Sequence, residues 1–210
     1  MSLRRAVSLA MLLVATAAVL ATAVPALAAD ATALPPDQAQ SLASTGPETS
    51  GSTTTAVDGQ TALDAAALPG AETSVEAGVS PDAAVGLATL TESVLPQTRP
   101  VCWANSYWHQ WGTWPYQQRI TDTTYWCAVY GNHITYRTST TTASGTLCAI
   151  SWRAGALIAG GVGPGYHYFT HRASGGFACP TIIPWITIHT SHHEDIKRTD
   201  RGVTTLVGTG

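Results

Sequence analysis

The 210-residue chain contains a single lysine, Lys197, and only 11% of its residues are charged. Its few basic residues are scattered, which excludes the clustered electrostatic footprint of a nucleic-acid-binding surface. The usual catalytic signatures are missing as well. There is no HEXXH, no G-x-S-x-G, and no lysine in the glycine run GALIAGGVGPG at 155–165. That run also lacks the strand, loop and helix context through which glycines cradle phosphate, so it reads as a mobile loop or a set of tight turns. No cofactor is implied.

A second set of absences divides the chain. Residues 30–98 hold nine acids but no basic, aromatic, cysteine or histidine side chain, while all seven Trp, seven Tyr, two Phe, four Cys and seven His fall between 102 and 193. Without aromatics a segment buries too little apolar area to offset backbone ordering, about 1–2 kcal/mol per residue. Residues 29–98 are therefore expected to be a disordered acidic arm rich in Ala, Thr, Ser and Pro, serving as a spacer, stalk, removable pro-segment or linker. One short helix is expected inside it, where Ser80 supplies a cap, Pro81 a first helical residue and Asp82 an acid in the first turn. The arm carries −9, whereas residues 99–210, with eight basic and four acidic side chains, carry +4.

Ahead of the arm, Arg4 and Arg5 precede an apolar run, and Ala26 and Ala28 form an A-x-A site. This is the pattern of a secretory signal peptide over residues 1–28. No second apolar run of that length follows. A secreted, extracellular product without membrane attachment after cleavage is expected.

Residues 99–210 present short runs rich in Thr, Tyr, Trp, Ile and Val, separated by Gly, Pro or Asn. They read as an all-β domain, a small disulfide-bonded sandwich or barrel of about seven short antiparallel strands. Strands are expected around 101–108, 117–130, 133–142, 146–153, 165–172, 181–190 and 202–207. Within TYWCAVYGNHITYRT, at 124–138, Gly131-Asn132 reads as a two-residue hairpin loop that pairs Tyr130 with His133 and Trp126 with Arg137. Alternation then places Cys127, Val129, Ile134 and Tyr136 in the core, and Trp126, Tyr130, His133 and Arg137 on an exposed platform where Arg137 stacks on Trp126.

Four cysteines in an exported domain imply two disulfides among Cys102, Cys127, Cys148 and Cys179. Three connectivities are open. Cys127 to Cys148 with Cys102 to Cys179 is favoured, provided that the strand carrying Cys148 crosses to the opposite sheet.

Three groups of residues bear on chemistry. His189, His192, His193, Glu194 and Asp195 place five potential metal ligands in seven residues, in a spacing that matches no known motif, and a solvated loop is the plainer reading. Asp122 with Glu194 is the one carboxylate pair suited to hydrolysis across a cleft. The aromatic density around CWANSYWHQWGTWPY reads first as core filling in a domain with few Leu and Phe, and alternatively, with Trp111 and Trp114 as the more exposed pair, as a surface that stacks on sugar faces or partner side chains. The leading expectation is a secreted, non-enzymatic module that binds a polysaccharide or cell-surface component. A small hydrolase using Asp122 and the His189–Asp195 segment is the rival, and an inhibitor or interaction domain presenting the loop GGVGPG at 160–165 is the third.

Overall fold

Strand-forming sequence between residues 101 and 209 folds into seven strands, all antiparallel to their neighbours. The computed structural model describes residues 48–87, 99–181, 183 and 185–210. In chain order the elements are β1 (Thr49–Val57), α1 (Gly59–Asp64), a 3-10 turn (Ala65–Ala67), β2 (Glu72–Val75), α2 (Pro81–Ala84), β3 (Val101–Trp111), β4 (Gln118–Val129), β5 (His133–Gly145), β6 (Ala149–Gly160), β7 (Tyr168–Pro180), β8 (Thr187–Thr199) and β9 (Thr204–Thr209). The first sheet has the order β1-β3-β4-β5-β2 and the second β6-β7-β8-β9. The expected all-β, disulfide-bonded architecture of two antiparallel sheets is what the chain adopts.

Between the sheets lie Trp111, Ile120, Ala173 and Phe177 towards one end and Trp126, Ala128, Ile134 and Phe169 towards the other. The opposite face of the first sheet is also covered, by Ala62, Ala84 and Val85 packed against Cys102, Cys127 and Tyr136. That cover comes from the segment expected to be a disordered arm. Over residues 48–87 the expectation is corrected, while residues 29–47 and 88–98 lie outside the described residues. The segment needs no core of its own: β1 pairs with β3, β2 pairs with β5, and small side chains between them complete a face that the sheet already offers. The Tyr136 hydroxyl donates to Ala62 O at 3.1 Å, fastening α1 down. The Ser80 pattern performs as read, its hydroxyl accepting from Ala83 N at 3.3 Å to cap α2.

The hairpin differs from expectation by one residue. Val129 pairs with His133 and Ala128 with Ile134 around a three-residue loop, and a bulge at Cys127/Ala128 restores the expected pairs Cys127–Tyr136 and Trp126–Arg137. The bulge turns Ile134 to the same side as Trp126. That side faces the second sheet, so Trp126 and Arg137 are buried and form no exposed platform. Trp126 Nε1 donates to Thr199 O at 3.0 Å, across the sandwich.

Cys102 and Cys127 are paired residues of β3 and β4 with Cα atoms 4.0 Å apart, and Cys148, just before β6, is bonded to Cys179 of β7 with Cα atoms 4.1 Å apart. The favoured connectivity is thereby overturned. β6 does cross to the second sheet, as the Cys127–Cys148 bond would have required. Its pairing of Ala149 with Ala178, however, brings Cys148 to Cys179.

Candidate functional site

Four ionisable side chains meet between the sheets. Asp122 on β4 lies with Oδ2 2.9 Å from Arg198 Nη1 and Oδ1 3.1 Å from His171 Nδ1. Arg198 Nη2 also donates to Asn105 Oδ1 at 2.8 Å, and Asn105 Nδ2 reaches Ser52 Oγ at 2.8 Å and Thr54 Oγ1 at 3.0 Å on β1. Glu194 projects from β8 into the same interior, fully buried, and neither of its carboxyl oxygens has a hydrogen-bond partner among the described residues. Burial and the nearby Asp122 charge push the Glu194 carboxyl up to about 9, against the pull of Arg198. Burial works the same way on Asp122, but the Arg198 guanidinium and the His171 imidazole hold its carboxyl below the usual carboxylate range.

The carboxylate pair expected of a hydrolase, Asp122 and Glu194, is thus brought together with an imidazole. It is enclosed, however: Asp122, His171, Glu194 and Arg198 all have 0% exposure, so these groups join the sheets and line no cleft. The His171 Nε2 faces Glu72 Oε2 at 3.4 Å, and it is Glu72 that reaches solvent.

The five potential metal ligands form part of a strand, and a strand sends successive side chains to opposite faces. His192 and Glu194 point inward, while His189, His193 and Asp195 lie on the outer face. Asp195 is held by Arg172 through two bonds of 2.7 Å. His192 stacks on Trp111 with ring centroids 4.6 Å apart, and burial lowers it to about 4. Among the described residues no three His, Cys, Asp or Glu are placed to share a metal ion.

The aromatic candidates divide in the same way. Trp111 is buried between His109 and His192, and Trp126 and Arg137 are interior. Tyr130 at the hairpin tip is 65% exposed and Trp114 in the β3–β4 loop 76% exposed, as expected of surface rings. The loop 160–165 does not protrude: Gly163 N donates to Ile134 O at 2.7 Å, and Val162 packs on the core.

Sequence reasoning missed the ring with the most developed surroundings, Trp152. It lies on the outer face of the second sheet, 48% exposed, with its indole over the Gly176 backbone so closely that a Cβ there would strike the ring. Pairing sets out three rows across this face: Trp152–Gly176–Ser191, Ala154–Ser174–His193 and Ala156–Arg172–Asp195. Rows two residues apart are about 7 Å apart, so the outer two are separated by about 13 Å. Ala154, Ala156, Ser174 and Gly176 form a low floor, Trp152 closes one end, and the Arg172–Asp195 pair closes the other. Depressions of about 120 and 200 Å³ share Trp152 and Ser191 and add His189 and His193 to the rim. The hidden signal was small residues alternating along two strands whose expected limits, 146–153 and 165–172, stopped short of the floor.

No protein-family model, curated protein or solved structure matches the chain.

Proposed function

We propose that the chain is an exported, non-catalytic module that binds a glycan on the outer face of the second sheet, centred on Trp152. The observation that carries this reading is an indole seated on Gly176 and 48% exposed, beside a floor of small residues rimmed by His189, Ser191, His193 and the Arg172–Asp195 pair. An aromatic face gives a sugar ring broad apolar contact with little rotamer loss, and neighbouring hydroxyl, imidazole and guanidinium groups supply directional bonds to its hydroxyls. Export is supported by the signal-peptide pattern over residues 1–28 and by two disulfides.

A glycan array followed by calorimetric titration of the best hit tests the reading. Trp152→Ala is expected to weaken binding at least about tenfold, on the order of the 1.4 kcal/mol that a lost stacking contact represents. Trp114→Ala, at the β3–β4 loop, is expected to leave it unchanged. Binding that survives loss of Trp152, or silence across every glycan class, overturns the proposal.

A further inference from the structure

Four strand edges bound the two sheets, and they differ in length and chemistry. On the first sheet they are β1, nine residues of Thr, Ser, Gly, Ala and Val, and β2, only four residues. On the second they are β9, six residues, and β6, twelve residues reading AISWRAGALIAG. β6 has one charge, Arg153, and neither proline nor lysine, the residues with which natural sheets block edge pairing. Among the described residues no strand pairs with its outer side. Ile150, Trp152, Leu157 and Ile158 are all exposed along it. Register breaks at Ile150/Trp152 and Leu157/Ala159 leave Trp152–Leu157 as a regular central stretch.

We propose that β6 pairs antiparallel with the β6 of a second copy of this chain, about a two-fold axis through Gly155. Two four-stranded sheets then become one continuous sheet. An antiparallel two-fold pairing keeps outward residues opposite outward residues, so within the regular stretch Ala154 falls opposite Ala156 and Arg153 opposite Leu157. No charge meets a like charge.

The inner face adds complementarity. Arg153 shares that face with Gly155, where a Cβ would strike His171 and Thr141. On its other side Leu157 pairs with His171, whose Nε2 is 3.4 Å from Glu72, a carboxylate with 41% exposure. Arg153 of one copy, lying opposite Leu157 of the other, therefore arrives beside that copy's Glu72. Symmetry repeats this contact twice, which selects a second copy over an unrelated strand. The pairing does not depend on the glycan reading, since it is measured without ligand.

Sedimentation velocity across low micromolar to submillimolar protein tests it. The protein is expected to pass from monomer to dimer. Ala154→Lys with Ala156→Lys sets lysine against lysine at both positions and raises the dissociation constant by about tenfold or more. Ala154→Glu with Ala156→Lys sets opposite charges against each other and restores the dimer. Arg153→Glu, placing a second acid beside Glu72, weakens it independently. Circular dichroism on each variant separates lost pairing from lost folding. A monomer at every concentration, or a dimer indifferent to the paired lysines and to Arg153→Glu, overturns the proposal. Failure of the Glu/Lys variant to recover overturns the register about Gly155.

Discussion

Glu194→Gln is expected to stabilise the protein, and by an amount that grows with pH. In the folded chain the Glu194 carboxyl has 0% exposure, no hydrogen-bond partner for either oxygen among the described residues, and a pKa raised from 4.5 to about 9. The unfolded chain releases that proton near the ordinary value. Folding therefore takes up a proton between the two values, so stability is fully present below about pH 4.5 and falls as pH rises through about 9. Each pH unit costs about 1.4 kcal/mol, giving about 3 kcal/mol at pH 7 and about 6 kcal/mol near pH 9. Glutamine has the same shape and does not titrate, so the variant escapes the slope. Its advantage should be near zero at pH 4.5 and reach roughly these figures at pH 7 and 9. Urea unfolding at the three pH values, with m unchanged between the proteins, measures the difference. Salt should alter it little, because a buried group is poorly screened. A difference that stays flat from pH 4.5 to 9 would refute the reasoning, since it would mean that Glu194 is ionised or solvated in the folded chain.

His192 supplies the opposite slope. Lowered to about 4 by burial against Trp111, it contributes stability that is present above about pH 6.5 and lost as pH falls towards 4. The His192→Gln variant should lack that acid-side loss when its urea midpoint is followed between pH 6.5 and 4. Gly176→Ala inserts a methyl where the Trp152 indole lies, so Trp fluorescence should shift to the red and ligand binding fall while the far-ultraviolet spectrum stays unchanged. Peptide mapping without reduction should recover Cys102 linked to Cys127 and Cys148 linked to Cys179, and a Cys127–Cys148 peptide would contradict the β3–β4 register. Removing either bond, across separations of 25 and 31 residues, should cost about 3–4 kcal/mol on the chain-entropy account.

Seven strands after residue 99 were legible because Thr, Tyr, Trp, Ile and Val recur there in runs, while the Cys127–Tyr136 and Trp126–Arg137 pairs agree because the bulge offsets the one-residue error in the hairpin loop. The limits of the later strands were misplaced because their glycines look like punctuation. Gly155 is small because His171 and Thr141 press on it, Gly175 because Ile120 does, and Gly176 because Trp152 covers it. Close approach, and no turn, is what those three positions require. The histidine-rich run was misread for a related reason. A polar sequence resembles a loop, yet β8 carries His192, Glu194 and Arg198 inward with Ile196 between them. The arm was misjudged because its apolar content was weighed alone, when the sheet it joins already holds Cys102, Cys127 and Tyr136 ready to be covered.

The polar interior explains why facing was harder to read than strand existence. β4 turns Gln118, Ile120, Asp122, Thr124 and Trp126 to the second sheet, a set in which polar residues outnumber apolar ones. With polar side chains on both faces, alternation no longer separates inside from outside. Buried charges are expensive to desolvate and, compared with apolar packing, add little net stability, so what such a cluster supplies is specificity of arrangement. Asp122 faces partners from two strands of the second sheet, His171 on β7 at 3.1 Å and Arg198 on β8 at 2.9 Å, and Arg198 continues through Asn105 to Ser52 on β1. A one-residue slip of β4 within its sheet would send Asp122 to the wrong face and leave Arg198 without that counter-charge. Beside the apolar contacts of Trp111, Ile120, Phe177, Trp126, Ile134 and Phe169, this ionisable cluster adds a directional constraint on how the two sheets meet.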